Sequence, residues 1–217
     1  MAIYNAGYLS PIRKKLGNAV GRKWRNLDVL SVYQPNVRNP KTNAQQIVRT
    51  RFGAASGLAM NMATALNLGF GVITKGTKVP PRSYFIKVNW NHIHASTPDS
   101  ATVDYDELTI AKGSLTPFQF GNPSFATPLT VAVAMTDNSS AEGASADDLA
   151  YIMVYDPESG EGILSTGKER TESQVAVNVP DYWNGHRVHV YGFGVGDAVA
   201  NPDKVATSRY LGSGTIE

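Results

Sequence analysis

The spacing of apolar residues changes along this chain, and that change constrains its fold more than any other feature. From Pro35 to Gly71 the spacing is helical, and from about residue 102 onward it alternates as strands do. Pro35 and Pro40 stiffen the approach and hold Asn39 out of helical space. Thr42 stands three residues before Gln45, the capping-box spacing in which each side chain satisfies an orphan backbone N–H. Val48, Phe52, Ala55, Ala59, Met62 and Leu66 then step by fours and threes, with Ile47, Ala54 and Leu58 widening the stripe. This predicts one helix that ends near Asn67 and is capped by a left-handed Gly69. At 1.5 Å per residue its length would be roughly 37 Å. Gly53 and Gly57 each cost about 1 kcal/mol against Ala inside it. Their expected role is close helix packing, against the chain's own second helix or sheet or against a neighbouring subunit. Arg49, Arg51, Asn61 and Asn67 break every apolar run well short of the ~20 residues a membrane helix needs.

Ser83 to His94 fits two periods. Ile86, Val88, Trp90 and His92 alternate as a strand, whereas Phe85, Val88 and His92 with Ile86, Trp90 and Ile93 fit a helix. A second helix packed on the first, making a helical hairpin, is the reading adopted, with a strand as the alternative. Thr97 to Ser100 then marks a boundary. Candidate strands follow at 108–110, 129–136, 150–155, 162–166, 174–179, 187–195 and 208–211. They are separated by turn clusters such as Asp137-Asn138-Ser139 and Asn184-Gly185. Seven short strands at this spacing imply an antiparallel sandwich of immunoglobulin or fibronectin type, without an antibody domain's cysteines or core tryptophan. The expected fold class is therefore α+β in three parts. These are a basic extended arm or β-hairpin (1–34), a helical region (35–100) and the β-sandwich (101–217).

The net charge of +2 conceals a polarity. The first 52 residues hold ten Lys and Arg against the single Asp28, a net +9, which leaves −7 for the remainder. Such asymmetry points to a polyanion partner or to charge-complementary stacking of identical subunits, beside a merely solvated arm. A hairpin of Ala19–Arg25 and Leu27–Tyr33 fits the arm best. Tyr4, Tyr8 and Trp24 interleave Arg13, Lys14, Lys15, Arg22, Lys23 and Arg25, and these nine are the candidate interface or polyanion contacts. The chain has no cysteine, so disulfides and thiolate metal sites are excluded. Its first fifteen residues lack the apolar core of a secretory signal.

No catalytic constellation is visible. His92 with His94, and His186 with His189, lack companion carboxylates at metal-ligand spacing. Asp104, Asp106 and Glu107, and Asp147 with Asp148, read as solvated turn acids rather than calcium ligands. Gly192-Phe-Gly-Val-Gly196 lies in a strand with no helix after it, so a dinucleotide fingerprint is rejected. The expectation is a protein that is not an enzyme, with no cofactor, no metal, no small-molecule substrate and no membrane.

Several stretches together resemble a known family. They are LGNAVGRKWRN (16–26), NPKTNAQQ (39–46), Arg51-Phe52, NLGF (67–70), DYDELTIAKGSL (104–115), TDNSS (136–140), VYDP (154–157), WNGHRVHVY (183–191) and SRYLG (208–212). In this order they are similar to a family of roughly 200-residue proteins of unknown function from Bacteroidetes and their phages. The chain departs from it at Met135, where the family's strand carries Trp, and at Asn43, where it carries Pro. The resemblance transfers no catalytic residue. It implies a helical N-terminal region followed by a sandwich, and, through members encoded among virion genes of gut-type tailed phages, a structural role. The expected function is a self-assembling ring or a tail- or portal-associated virion component, assembled in the host cytoplasm from copies of itself and other virion proteins. The rival from another class is a nucleic-acid-binding protein that sets the basic arm on phosphates. A carbohydrate-binding or adhesive sandwich is a third reading, with Tyr182 and Trp183 as its obvious exposed aromatics.

Overall fold

The computed structural model describes residues 2–4, 12–36, 39–126 and 129–217. The chain forms two compact units, Met1–Thr42 and Asn43–Glu217. The first is a four-stranded antiparallel sheet of β1 (Ala2–Tyr4), β2 (Lys14–Leu16), β3 (Ala19–Trp24) and β4 (Leu27–Val32), in the order β1-β4-β3-β2. The predicted hairpin is present as β3 and β4, but it is the centre of a sheet rather than an extended arm. Its two-residue connection, Arg25-Asn26, has φ values of 47° and 61°. Positive φ at both positions is the turn whose twist matches a right-handed strand pair.

In the second unit the long helix is divided. It becomes α1 (Asn43–Asn61), α2 (Ala63–Gly69) and α3 (Gly71–Thr74). The first interruption falls at Met62 (φ −97°, ψ 15°), beside Asn61, whose side chain hydrogen-bonds Tyr155 of the underlying sheet. Gly69 is not a left-handed cap but part of α2. A Cβ there would lie 2.4 Å from the Ile110 carbonyl oxygen, so the missing side chain lets that segment pass beneath the helix. The ambiguous stretch uses both periods in turn. It forms α4 (Pro81–Asn89), one 3₁₀ turn, and then β5 (Ile93–Thr97), which pairs with β6 (Ser100–Val103). Thr97 to Ser100 is thus a hairpin turn and not a domain boundary.

The remaining strands are β7 (Gln119–Ala126), β8 (Thr130–Thr136), β9 (Leu149–Asp156), β10 (Glu161–Leu164), β11 (Lys168–Glu169), β12 (Gln174–Asn178), β13 (Arg187–Val195) and β14 (Arg209–Thr215). They make a β12-β8-β7 sheet and a β10-β9-β13-β14 sheet, with β11 also on β9. The predicted strand at 108–110 does not form. Its backbone is satisfied by side chains, with Thr109 N–H donating to Asn89 Oδ1 (2.7 Å) and Ile110 N–H to Ser208 Oγ (2.9 Å).

Helices and sandwich share one unit because the larger sheet is buried on both faces. Ile152, Val154, Val188 and Val190 point into the sandwich core, while Met153, Tyr155, Tyr191 and Phe193 point to a second core under α1, α2 and α4. Strands covered on both sides read as continuous apolar runs, as YIMVY (151–155) does.

One end of the sandwich is tied by charges taken out of water. Arg170 and Asp148, both fully buried, pair at 3.1 Å. Asp148 also accepts the Ser145 and Asp197 N–H groups and Asn201 Nδ2. Arg170 donates to Asn138 Oδ1 (2.7 Å) and the Thr116 carbonyl (2.9 Å), and its guanidinium lies 3.8 Å from the Phe118 ring centroid. Burial alone would raise the Asp148 carboxyl, but these hydrogen bonds outweigh it and hold the group below the usual carboxylate range. A depressed folded value means its contribution is complete above the unfolded value near ~3.9 and is lost as pH falls through the folded one. We expect Arg170→Leu, which strands the Asp148 charge, to cost about 3–5 kcal/mol in urea unfolding. Asp148→Asn should flatten the acid limb of the stability profile.

Candidate functional site

The nine residues expected to make contacts fall on the first unit, and the sheet register sorts those it describes. Tyr8 lies outside the described residues. Arg22 pairs Val29 and, through it, Ile3, while Trp24 pairs Leu27 and Lys15 pairs Val20, so these share one face. The other face carries Tyr4, Lys23 and Asp28 in one row and Leu16, Ala19 and Val32 in another.

Tyr4 is not a free anchor. It is partly buried, and its hydroxyl accepts the Ile12 N–H at 2.7 Å, which holds that strand-free segment against the sheet. The Ile12 carbonyl passes so near Gly21 that a Cβ there would sit 2.1 Å from it. Arg13 is committed to Asp28 at 3.3 Å, which uses the unit's single acid. Lys15 Nζ lies 3.7 Å from the Tyr33 ring centroid and Arg25 5.7 Å from that of Trp24, both within cation–π range. Lys14, Arg22, Lys23, Trp24 and Arg25 are exposed.

The apolar residues of this sheet are as informative as its charges. Ile3, Leu16, Trp24, Val32 and Tyr33 are exposed, Val32 at 75% and Leu16 at 62%. Val29 is the one buried hydrophobic side chain among the unit's described residues. Ile3 and Trp24 lie on one face and Leu16 and Val32 on the other, so both faces expose apolar surface that a sheet of this size would be stabilised by covering.

Among the described residues, no other element packs on Gly53 or Gly57. A Cβ at either would meet nothing within 4 Å, and Gly53 is exposed. Of the predicted stripe, Val48 and Phe52 are more than half exposed, while Ala55, Ala59, Met62 and Leu66 are buried. The adjacent Arg51 bonds the Trp90 carbonyl and lies 4.1 Å from the Trp90 ring centroid, joining α1 to the end of α4.

The aromatic pair proposed for a sugar-binding loop separates. Trp183 sits on the 3₁₀ turn Asp181–Trp183 and is fully buried in the sandwich core rather than exposed. Tyr182 is exposed, and its hydroxyl donates to Glu161.

Three of the four histidines are individually partnered. His94 pairs Asp104 at 3.0 Å, His186 pairs buried Asp156 at 2.7 Å with Glu158 at 3.7 Å, and His189 bonds the Tyr210 hydroxyl at 3.0 Å. Among the described residues no group of three His, Asp or Glu is arranged to hold a metal ion. Among them, too, no helix is long and apolar enough to cross a membrane.

The fold and these contacts define a helix-backed antiparallel sandwich joined in sequence to a basic, aromatic-rich sheet. A family model matches residues 11–212, and the chain belongs to that family, DUF6266, a family of unknown function. No curated protein matches it. Among solved structures, the fibronectin type III domain of the human collagen alpha-1(XX) chain is similar to part of it. The identity is 15% and the TM-score 0.32, over 49% of this chain and 85% of that one.

The Asp156 hydrogen bond outweighs the opposing effect of burial and, aided by the Asp156 and Glu158 charges, raises the His186 imidazole above its ordinary value. A raised folded value makes this contact stabilising at low pH and lost as pH rises through it. We expect an NMR titration of His186 to show a midpoint above ~6.5, and Asp156→Asn to bring it down.

Proposed function

We propose that the protein is a non-enzymatic structural component that self-assembles, as a ring or a tail- or portal-associated part of a tailed-phage virion built in the bacterial cytoplasm. The observation that carries this is the uncovered first unit. Four large apolar side chains stand exposed on a four-stranded sheet, with Tyr33 just past its last strand, and over residues 1–42 bases outnumber acids eight to one. Residues 43–217 carry seventeen acids against twelve bases. On this reading the sheet of one copy meets the larger unit of the next, whose net charge is opposite. A head-to-tail contact of that kind is heterologous and closes into a ring when its rotation completes a circle. Trp24 is the expected anchor, since buried aromatics concentrate interface energy. The phage assignment rests on the family resemblance.

The same exposed Lys14, Lys23 and Trp24 would serve a nucleic-acid-binding protein, and the two readings separate by experiment. Light scattering of the full chain in the absence of nucleic acid should give an oligomer, and Trp24→Asp with Leu16→Asp should reduce it towards the monomer. A monomer that binds duplex DNA with affinity falling log-linearly in salt would replace assembly with the nucleic-acid reading.

A further inference from the structure

The larger sheet of the second unit extends beyond the helices that cover it. Along β13 the helix-facing positions run Phe193, Tyr191, His189, Arg187; the first two are buried and the last is exposed. Where the cover ends, the 3₁₀ turn Tyr105–Glu107 folds over the sheet, fixed by the Tyr191 hydroxyl donating to the Tyr105 carbonyl at 2.7 Å. The result is an open cleft of about 460 Å³ lined by Val103, Asp104, Tyr105, Asp106, Arg187, His189 and Tyr210. That volume falls within the range of small-molecule sites.

Its wall is aromatic and ordered. The Tyr105 ring stacks on His189 with centroids 4.3 Å apart and 22° between planes, and Tyr210 follows at 6.0 Å from His189. Tyr210 is aimed there by a bulge: Val190 pairs Gly212, yet Tyr191 pairs Tyr210, so Leu211 is left over. Bulges redirect side chains in this way beside binding sites. Burial, followed by the Arg187 charge, keeps the His189 imidazole neutral to lower pH than usual, and its Nδ1 is engaged by the Tyr210 hydroxyl.

Two carboxylates and one guanidinium line the cleft. Asp104 is committed to His94. Arg187 is steadied by Ser213 Oγ, which accepts from Nε and Nη2 at 3.2 and 2.8 Å. Asp106 makes no hydrogen bond or ion pair among the described residues and is exposed. An anion would face two carboxylates, and a simple cation would face the guanidinium. A purely apolar ligand would strip water from both charges without replacing it.

We propose that this cleft binds a neutral saccharide. Sugar hydroxyls both donate and accept, which matches a carboxylate acceptor and a guanidinium donor on one wall. The C–H face of the ring would lie on the electron-rich faces of Tyr105 and Tyr210. The open side of the cleft lets an oligosaccharide extend beyond the bound unit.

NMR titration of the full chain with methyl glycosides of glucose, galactose, mannose and N-acetylglucosamine, and with cellobiose, tests this. Each is taken to about 10 mM, enough to fill most of a site of millimolar Kd. At least one should shift the Tyr105, His189 and Tyr210 resonances, and Asp106→Ala and Arg187→Ala should each weaken it by about tenfold or more. Asp106→Asn, which keeps an acceptor oxygen, should retain most of the binding and serves if the alanine variant does not fold. Absence of response to every sugar, or a response unchanged in both alanine variants, overturns the proposal. So does binding of glycine or inorganic phosphate in place of the sugars. Neither outcome bears on the oligomer measured by light scattering.

Discussion

The pairing of Arg170 with Asp148 is the constraint on which the arrangement of the sandwich depends. Two full charges without solvent contact are tolerated only when nearly every lone pair and N–H of the pair finds a partner. Here those partners lie on the segments before β7, after β8, before β9 and after β13. A single guanidinium and a single carboxylate therefore fix where both sheets begin relative to each other. A hydrophobic pair of the same volume would fill the space but would not specify which loops must meet there.

From that fixed end, β9 and β13 run as the central pair of the larger sheet and carry a core on each side. The sandwich core uses their even-numbered residues and the helical core their odd-numbered ones, so neither half of the second unit can be removed without exposing the other's strands. Where the helical cover stops, polar and aromatic side chains take over on the same face. The cleft is thus a product of unequal layer lengths. The first unit shows the opposite economy, a sheet with little core of its own and four large apolar side chains exposed.

Much of this was legible from periodicity. Strands 130–136, 149–156, 174–178 and 187–195 lie within a residue or so of their expected bounds, because alternation over a half-buried sheet is a local property. Motifs spread over the whole chain pointed to a family of unknown function, and a family model of that kind matches residues 11–212. What was not legible depends on contacts distant in sequence. The helix is interrupted at Met62, beside the contact of Asn61 with Tyr155. Strand β7 carries no such alternation: Gly121-Asn122-Pro123 forms a bulge on an edge strand, where proline is permitted. Trp183 looked like a surface residue because its neighbours are Asp181, Tyr182 and Asn184, and only the fold turns it inward. The cleft gave no local signal, since Asp106, Arg187 and Tyr210 are brought together from three separate segments.

The glycines of GFGVG (192–196) illustrate how closely the two layers are matched. A Cβ at Gly194 would lie 2.0 Å from the Phe118 ring and one at Gly192 2.8 Å from the Phe120 ring, while Gly214 receives Phe125 at 2.2 Å. Each phenylalanine of the smaller layer is thus seated on bare backbone of the larger one. Positions 118 and 194, 120 and 192, and 125 and 214 therefore behave as single units of inheritance. Among relatives, a side chain gained on one partner should appear only where the other has lost its ring, so that these three couplings would record the spacing of the layers in the alignment itself.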